Sequence, residues 1–598
     1  MPPEPGESAI DTPEKNEKYG EVALKKLVMA AAAAALGLGI AGSAPAVAQN
    51  TLLYLTEDVP FTLDPDGRGS THFNSQTAWV NLAEPLVDYA IAGVNDEGVT
   101  VLDYANFIPK LAESWSFDAD TLTWTFNLRR GVKGCGGSTF TADDVLYTFA
   151  RGKSISGATP VAWFLSSFAN IANFTPAVFG ARAAAAKAAK AGEPAPAQDA
   201  RVLGPEVTKV DDYTVQFTLS APSQMLLPMM TIFGLYIWDS ETMLANATED
   251  DPWSHKYLDN VDSPSFTAYC LSEWKTGEEF IVEANPDYYG KKPYFDRVIM
   301  RRVPNSASRV AILRTGGAQM TETLTPKEFD SLRSARGITV AGHFSNNTLM
   351  FLVNHNVPPF DDPRVRKAVA LSIPYDEIVR ISYFGKAHQW PGLVPTTYPG
   401  YVEPSIKYPY DPEQAKALLA EAGYPNGEGL EQFAGAFNLS YSSERESTLG
   451  PSATVIRSAL REVGFPVDLE PMPQAQLADR RSVKKDIPFS LYDQSRPIGV
   501  DASYAVILYF VSPAKGGILN MTNYLSDQID GLYYAQKGEG DAAKRAGMLA
   551  QVQNTLMDDL PWIPVVEYKT QWAFTDKMRG VTLHPDNNIR WAELFMEE

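Results

Sequence analysis

Cysteine is nearly absent from this chain: Cys135 and Cys270 are the two found in 598 residues, too few and too far apart for a zinc knuckle. Histidine is scarce as well. The six (His72, His255, His343, His355, His388 and His584) form no HExxH and no i, i+4 pair, so no metal or other cofactor is expected. Neither a GxSxG elbow nor a Walker loop occurs, which leaves an α/β-hydrolase and a nucleotide-driven enzyme without local support. Positive charge is in deficit, with 51 Lys and Arg against 72 Asp and Glu. A basic stripe is the electrostatic footprint of nucleic-acid binding, so nucleic acid and anionic membrane surfaces are disfavoured as partners. Solubility is the plainer reason for the acidity.

Long apolar runs are missing too. Leu27–Ile40, preceded by Lys25 and Lys26, is 14 residues long, short of the roughly 20 that a bilayer crossing needs. With Ala46-Val47-Ala48 behind it, the run reads as a secretory signal cleaved before Gln49. No cysteine stands at the junction to carry a lipid. The expected product is a soluble protein held in the periplasm of a Gram-negative bacterium. Glu4, Glu7, Asp11, Glu14, Glu17 and Glu21 are foreign to a basic leader and suggest that translation starts near Val22. Gly37, Gly39 and Gly42 spell GxGxxG, but without a preceding strand and inside a cleaved segment the pattern carries no dinucleotide meaning.

Removing the leader's six acids and four bases leaves 66 acids against 47 bases over about 550 residues. That length exceeds the roughly 250–300 residues at which a single core stops growing, so two or more lobes are expected. An even number of cysteines in an oxidising compartment suggests one bridge, two buried thiols being the alternative.

What is present is an interleaving of strands and helices. Thr123–Leu128 and Thr214–Leu219 alternate apolar and polar residues with period two, as half-buried strands do. Thr141 with Asp144 reads as a capping box ahead of Val145, Leu146 and Phe149. Asp411-Pro412 opens a helix with Ala415, Leu418 and Leu419 on one face and Gly423 at its stop, and Asp362-Pro363 opens another with Val365, Ala368 and Val369. The acid pairs Asp143-Asp144 and Asp361-Asp362 therefore cap helices rather than act as acid and base. The class is α/β. Ala181–Ala200, rich in Ala and Lys and ending in Gly and Pro, reads as a surface insertion.

Five phrases carry a resemblance: Pro109–Trp115, Phe140–Val145, Asn285–Tyr289, Pro359–Ala368 and Tyr410–Lys416. In that order the chain resembles family 5 of the extracytoplasmic solute-binding proteins, the dipeptide-, oligopeptide- and nickel-binding components of ABC importers. The resemblance implies a two-lobed periplasmic-binding-protein fold of type II, in its large cluster C form, with a subdomain inserted in the first lobe. Mapped here, the first lobe takes 49–84, 206–305 and 521–598, the inserted subdomain 85–205, and the second lobe 306–520. Crossings are expected near Val303-Pro304-Asn305 and Asn520–Tyr524. It also implies a monomer that closes on a small solute, most readily a peptide, and hands it to permease and ATPase subunits without chemistry. A sugar–amino-acid conjugate or an oligosaccharide is the alternative cargo. The resemblance does not decide the cysteine pairing.

For the site, the peptide binders grip the ligand's ammonium with an aspartate after a second-lobe strand. Phe489–Asp493 resembles that stretch, which makes Asp493 the matching carboxylate, although Phe-Ser stands where Gly-Trp is usual and Gln494–Pro497 replaces an acidic continuation. Arg496 is close enough in sequence to meet a ligand carboxylate. His72 and Asn74, after Leu63-Asp64-Pro65, occupy the place of first-lobe cleft residues, and Tyr504 and Trp390 are candidate aromatic walls.

Overall fold

The computed structural model describes residues 50–65, 72–154, 165–166, 168–171, 206–493 and 497–598. The leader, the Ala-rich insertion and Arg496 lie outside these residues. The strands that matter below are β1 (Thr51–Thr56), β2 (Val87–Val94), β3 (Thr100–Pro109), β4 (Ala112–Asp118), β5 (Thr123–Leu128), β6 (Val207–Asp211), β7 (Thr214–Thr218) and β8 (Tyr269–Lys275). They continue with β9 (Glu279–Ala284), β10 (Arg297–Arg302), β11 (Met320–Thr321), β12 (Ile338–Val353), β13 (Ala387–Gln389), β14 (Asn438–Ser442), β15 (Asp468–Met472), β16 (Phe489–Tyr492) and β17 (Trp562–Thr575).

The two alternating runs form strands as their pattern requires. Phe126 and Leu128 of β5 and Val215 and Phe217 of β7 are buried, with Phe126 and Phe217 edge to face at 5.5 Å. They sit in a four-stranded sheet ordered β4-β5-β7-β6, beside a separate β2–β3 ribbon. The helix Ala142–Ser154 starts beneath this sheet. Its Asp144 accepts from the Thr141 backbone at 2.7 Å and from Ser240 N at 2.8 Å, and burial pushes its carboxyl up to about 6. Asp411 caps Pro412–Glu421 through Gln414 N at 2.9 Å, and Asp362 caps Pro363–Leu371 through Arg364 N at 2.8 Å.

The remaining strands make one 11-stranded sheet ordered β15-β14-β16-β12-β17-β11-β1-β10-β9-β8, with β13 added to β17. At its centre the 16-residue β12 and the 14-residue β17 run antiparallel. Each belongs to two cores. Ala341, Trp572 and Phe574 pack with Leu52, Tyr54, Val298 and Trp591, whereas Leu349–Val353, Ile563 and Val565 pack with Phe360, Phe437 and Phe489. Full burial of each such side chain contributes roughly 1.5–3 kcal/mol. Between the two cores the ladder breaks register from Phe344 to Thr348. There Asn346 Nδ2 donates to Tyr398 Oη, Pro497 O and Pro585 O at 3.0, 3.1 and 2.7 Å, and its Oδ1 accepts from Asn587 at 2.8 Å. These bonds satisfy the buried Asn346 amide, which would be costly to leave unpaired, while the strand's own Ser345 carbonyl accepts from Thr397 Oγ1 at 3.1 Å.

Residues 306–343 pair and pack with the elements before them: β11 joins β1 in parallel, and Leu313, Phe329 and Leu332 share a core with Val340 and Ala573. Residues 521–561 go the other way. Asp559 O takes two bonds from Arg366, and Gln553 Nε2 donates to Gly400 O at 2.8 Å.

Cys135 and Cys270 are bridged, with Cα atoms 5.6 Å apart, so the two-thiol alternative is excluded. Closing a loop of 135 residues stabilises by roughly 4–5 kcal/mol in the chain-entropy account. Among the described residues no helix is long and apolar enough to cross a membrane.

Candidate ligand-binding site

β14 and β16 are parallel neighbours, with Ser440 opposite Ser490, so both chains leave the sheet on the same edge. Open α/β sheets bind ligands beyond the carboxyl ends of their strands. β16 emerges at Asp493, which is only 3% exposed. β14 emerges into the turn Ser443–Arg445 and then the helix Glu446–Val463. Arg445 reaches across, donating to Asp493 Oδ2 from Nε at 3.1 Å and from Nη2 at 2.5 Å. The Asp493 charge holds the Arg445 guanidinium above its usual range.

The pair is walled by aromatic groups. Tyr568 of β17 donates its hydroxyl to Asp493 O at 3.3 Å, and Tyr383 stacks on Tyr568 with centroids 5.0 Å apart. The Tyr383 hydroxyl is buried and has no partner among the described residues, and burial pushes its pKa up. On the other side Arg481, from a π-helical turn over Asp479–Lys484, lies over the Tyr492 ring at 4.1 Å.

Trp390 and Tyr504 are both buried. Trp390 donates to Val394 O at 3.1 Å and, with Thr348, Pro497, Ala505, Tyr509 and Trp562, lines a narrow crevice. Trp562 also meets Tyr492 edge to face at 6.4 Å, which places this crevice behind the strand that delivers Asp493. Tyr504, on the helix Ala502–Tyr509, packs its ring against Phe168 at 5.3 Å.

His72 is placed differently. It caps the helix Phe73–Leu82 by accepting from Ser75 N at 3.2 Å, rests against Phe61, and has its pKa lowered by burial against the raising effect of Asp58. Asn74 is buried on the same helix, its Oδ1 without a partner among the described residues. No described contact joins either residue to Asp493. Arg445, Arg481, Tyr383 and Tyr568 were not singled out by the sequence. Their signal is the adjacency of β14, β16 and the β12–β17 pair, which no local pattern contains.

Residues 106–516 match the family described as bacterial extracellular solute-binding proteins, family 5 middle. Di/tripeptide-binding protein 2 of Pseudomonas aeruginosa (strain UCBPP-PA14) is 26% identical over 539 residues, covering 88% of this chain and 92% of its own length. In fold, the chain is similar to the periplasmic binding protein DppA from Helicobacter pylori in complex with the peptide STSA, with TM-score 0.71, 22% identity, and 92% and 99% of the two chains covered. It is also similar to the solute-binding protein MoaA from A. tumefacien R10 in complex with mannopinic acid, with TM-score 0.68, 22% identity, and 92% and 100% covered. A type II binding-protein fold with this match over more than two thirds of its length places the chain in family 5 of the bacterial extracellular solute-binding proteins.

Proposed function

We propose that the chain captures a short peptide in the periplasm and delivers it unchanged to the permease of an ABC importer. The observation that carries this reading is the Arg445–Asp493 pair at the carboxyl ends of two parallel strands. A zwitterion can exchange it: the ligand ammonium takes Asp493, the ligand carboxylate takes Arg445, and neither protein charge is stranded. Charge-assisted hydrogen bonds are about twice as strong as neutral ones, while stripping a buried charge of its partner costs about 3–5 kcal/mol. A neutral oligosaccharide offers no such exchange. The peptides named for the Pseudomonas and Helicobacter relatives support the same cargo class.

Residues 50–84, 206–343 and 569–598 form the first lobe, 85–205 the inserted subdomain, and 345–567 the second lobe. The crossing is placed where β12 breaks register, between Ala341, Trp572 and Phe574 on one side and Leu349–Val353, Ile563 and Val565 on the other. Bending there closes the monomer over its ligand, in the manner of periplasmic binding proteins. Moving the population from 1:99 to 99:1 closed takes roughly 5.5 kcal/mol of preferential binding, which contacts from both lobes supply.

A thermal-shift screen of the mature protein tests the reading. A peptide at 100 times its dissociation constant stabilises by about 2.7 kcal/mol. Stabilisation by mannopinic acid or an oligosaccharide, with none by any di-, tri- or tetrapeptide, would overturn it in favour of the alternative cargo.

A further inference from the structure

We infer that Arg481 receives a second carboxylate from the ligand, so that the cargo is a short acidic peptide with Asp or Glu within two residues of its free amino terminus. The inference rests on the peptide reading above and narrows it. Six described arginines are at most 9% exposed: Arg151, Arg309, Arg366, Arg481, Arg545 and Arg590. Three are paired with carboxylates: Arg151 with Asp64 at 3.0 Å, Arg545 with Asp501 at 2.7 Å, and Arg590 with Asp586 at 2.7 Å. Arg309 and Arg366 donate to backbone carbonyls, at 2.7 Å to Val303 O and 2.8 Å to Phe360 O.

Among the described residues Arg481 alone of the six has no such partner. It is 6% exposed, its Nε has no hydrogen-bond partner among the described residues, and its contact is the face of Tyr492. A ring face attracts the cation but accepts none of a guanidinium's five N–H bonds in the plane where they point. A buried charge in that state is expensive unless something arrives to complete it. What arrives must be an anion, and a planar fork suits a carboxylate taken by two parallel bonds.

Position and charge agree. Arg481 lies over the ring of Tyr492, whose chain continues directly into Asp493, and the Asp493 charge acts on its guanidinium, opposing the effect of burial. The π-helical turn that presents it is a rare form found mostly at functional sites. Arg445 and Arg481 against Asp493 leave one positive charge in excess. A peptide with one ammonium and two carboxylates leaves none.

Isothermal calorimetry on the mature protein tests this with isosteric pairs: Glu-Ala-Ala against Gln-Ala-Ala, and Ala-Glu-Ala against Ala-Gln-Ala. In at least one pair wild type should bind the acidic member about tenfold tighter or more, the range for a hydrogen bond to a charged group. Arg481→Gln should erase that preference, and Arg481→Lys should restore part of it. Equal affinities for acidic and neutral peptides in wild type would overturn the inference while sparing the peptide reading, and this comparison needs no variant to fold. Equal weakening of both members by Arg481→Gln would overturn it too, assigning Arg481 to the packing of Tyr492. Failure of every peptide to bind would remove the peptide reading and this inference together.

Discussion

Asp493 and His355 answer the same demand in opposite ways. A buried ionisable group must either find a partner or give up its charge. Asp493 has Arg445. His355 is half-buried, with its Nε2 enclosed and unpartnered among the described residues, and burial, with Arg366 adding to it, lowers its pKa to about 3. Its folded value lies below the unfolded one of about 6.5, so its contribution to stability is full above that pH and is lost as pH falls toward 3. Between pH 7 and pH 5 this amounts to about 2 kcal/mol. Urea unfolding at the two pH values should show wild type losing that much more than His355→Phe, a substitution that keeps the edge contact with Tyr524. Parallel losses would contradict the assignment. At this scale the sequence was half legible. Asp493 could be read as an acid closing an apolar strand. Arg445, 48 residues away, carries no local mark, because what makes it a partner is a pairing of strands distant in the chain.

Among elements, the β12–β17 ladder decides the most. Gly342 sits where a side chain would press on β17: an added Cβ would lie 2.4 Å from Thr570 O. Gly342 N also donates to Glu97 Oε2 at 2.9 Å, and the same Glu97 pairs with Lys569 at 2.6 Å, tying the β2–β3 tip to the crossing. Gly342→Ala should therefore cost about 1–3 kcal/mol, as overpacking does, read as a lower denaturant midpoint with an unchanged slope. An unchanged midpoint would mean that the ladder yields freely there. Helix starts were legible because capping is local, as Asp362 and Asp411 show. Arg366 has no local mark of its partners, since the carbonyls of Phe360, Asp361 and Asp559 are brought to it by how two helices meet. The lobe crossing was sought at Pro- and Asn-rich turns. The crossing proposed above coincides instead with Ser345-Asn346-Asn347-Thr348, a polar interruption inside a long apolar strand, where the ladder breaks register.

At the scale of the molecule, two cores share one sheet, and the proposed ligand site lies beyond the strands of one core and beside the pair that reaches the other. Tyr568 shows the coupling: it belongs to β17 and yet donates to Asp493 O. In the proposed function a bend at the crossing moves this wall with the lobes and so couples a bound solute to closure. The central claim is that a ligand ammonium replaces Arg445 on Asp493. Calorimetric titration of a binding peptide against its N-acetylated form tests it most directly. Acetylation removes the charge and leaves Asp493 to its internal partner, so affinity should fall at least about a hundredfold, equivalent to ~2.7 kcal/mol. Equal affinity for the two forms would contradict the account.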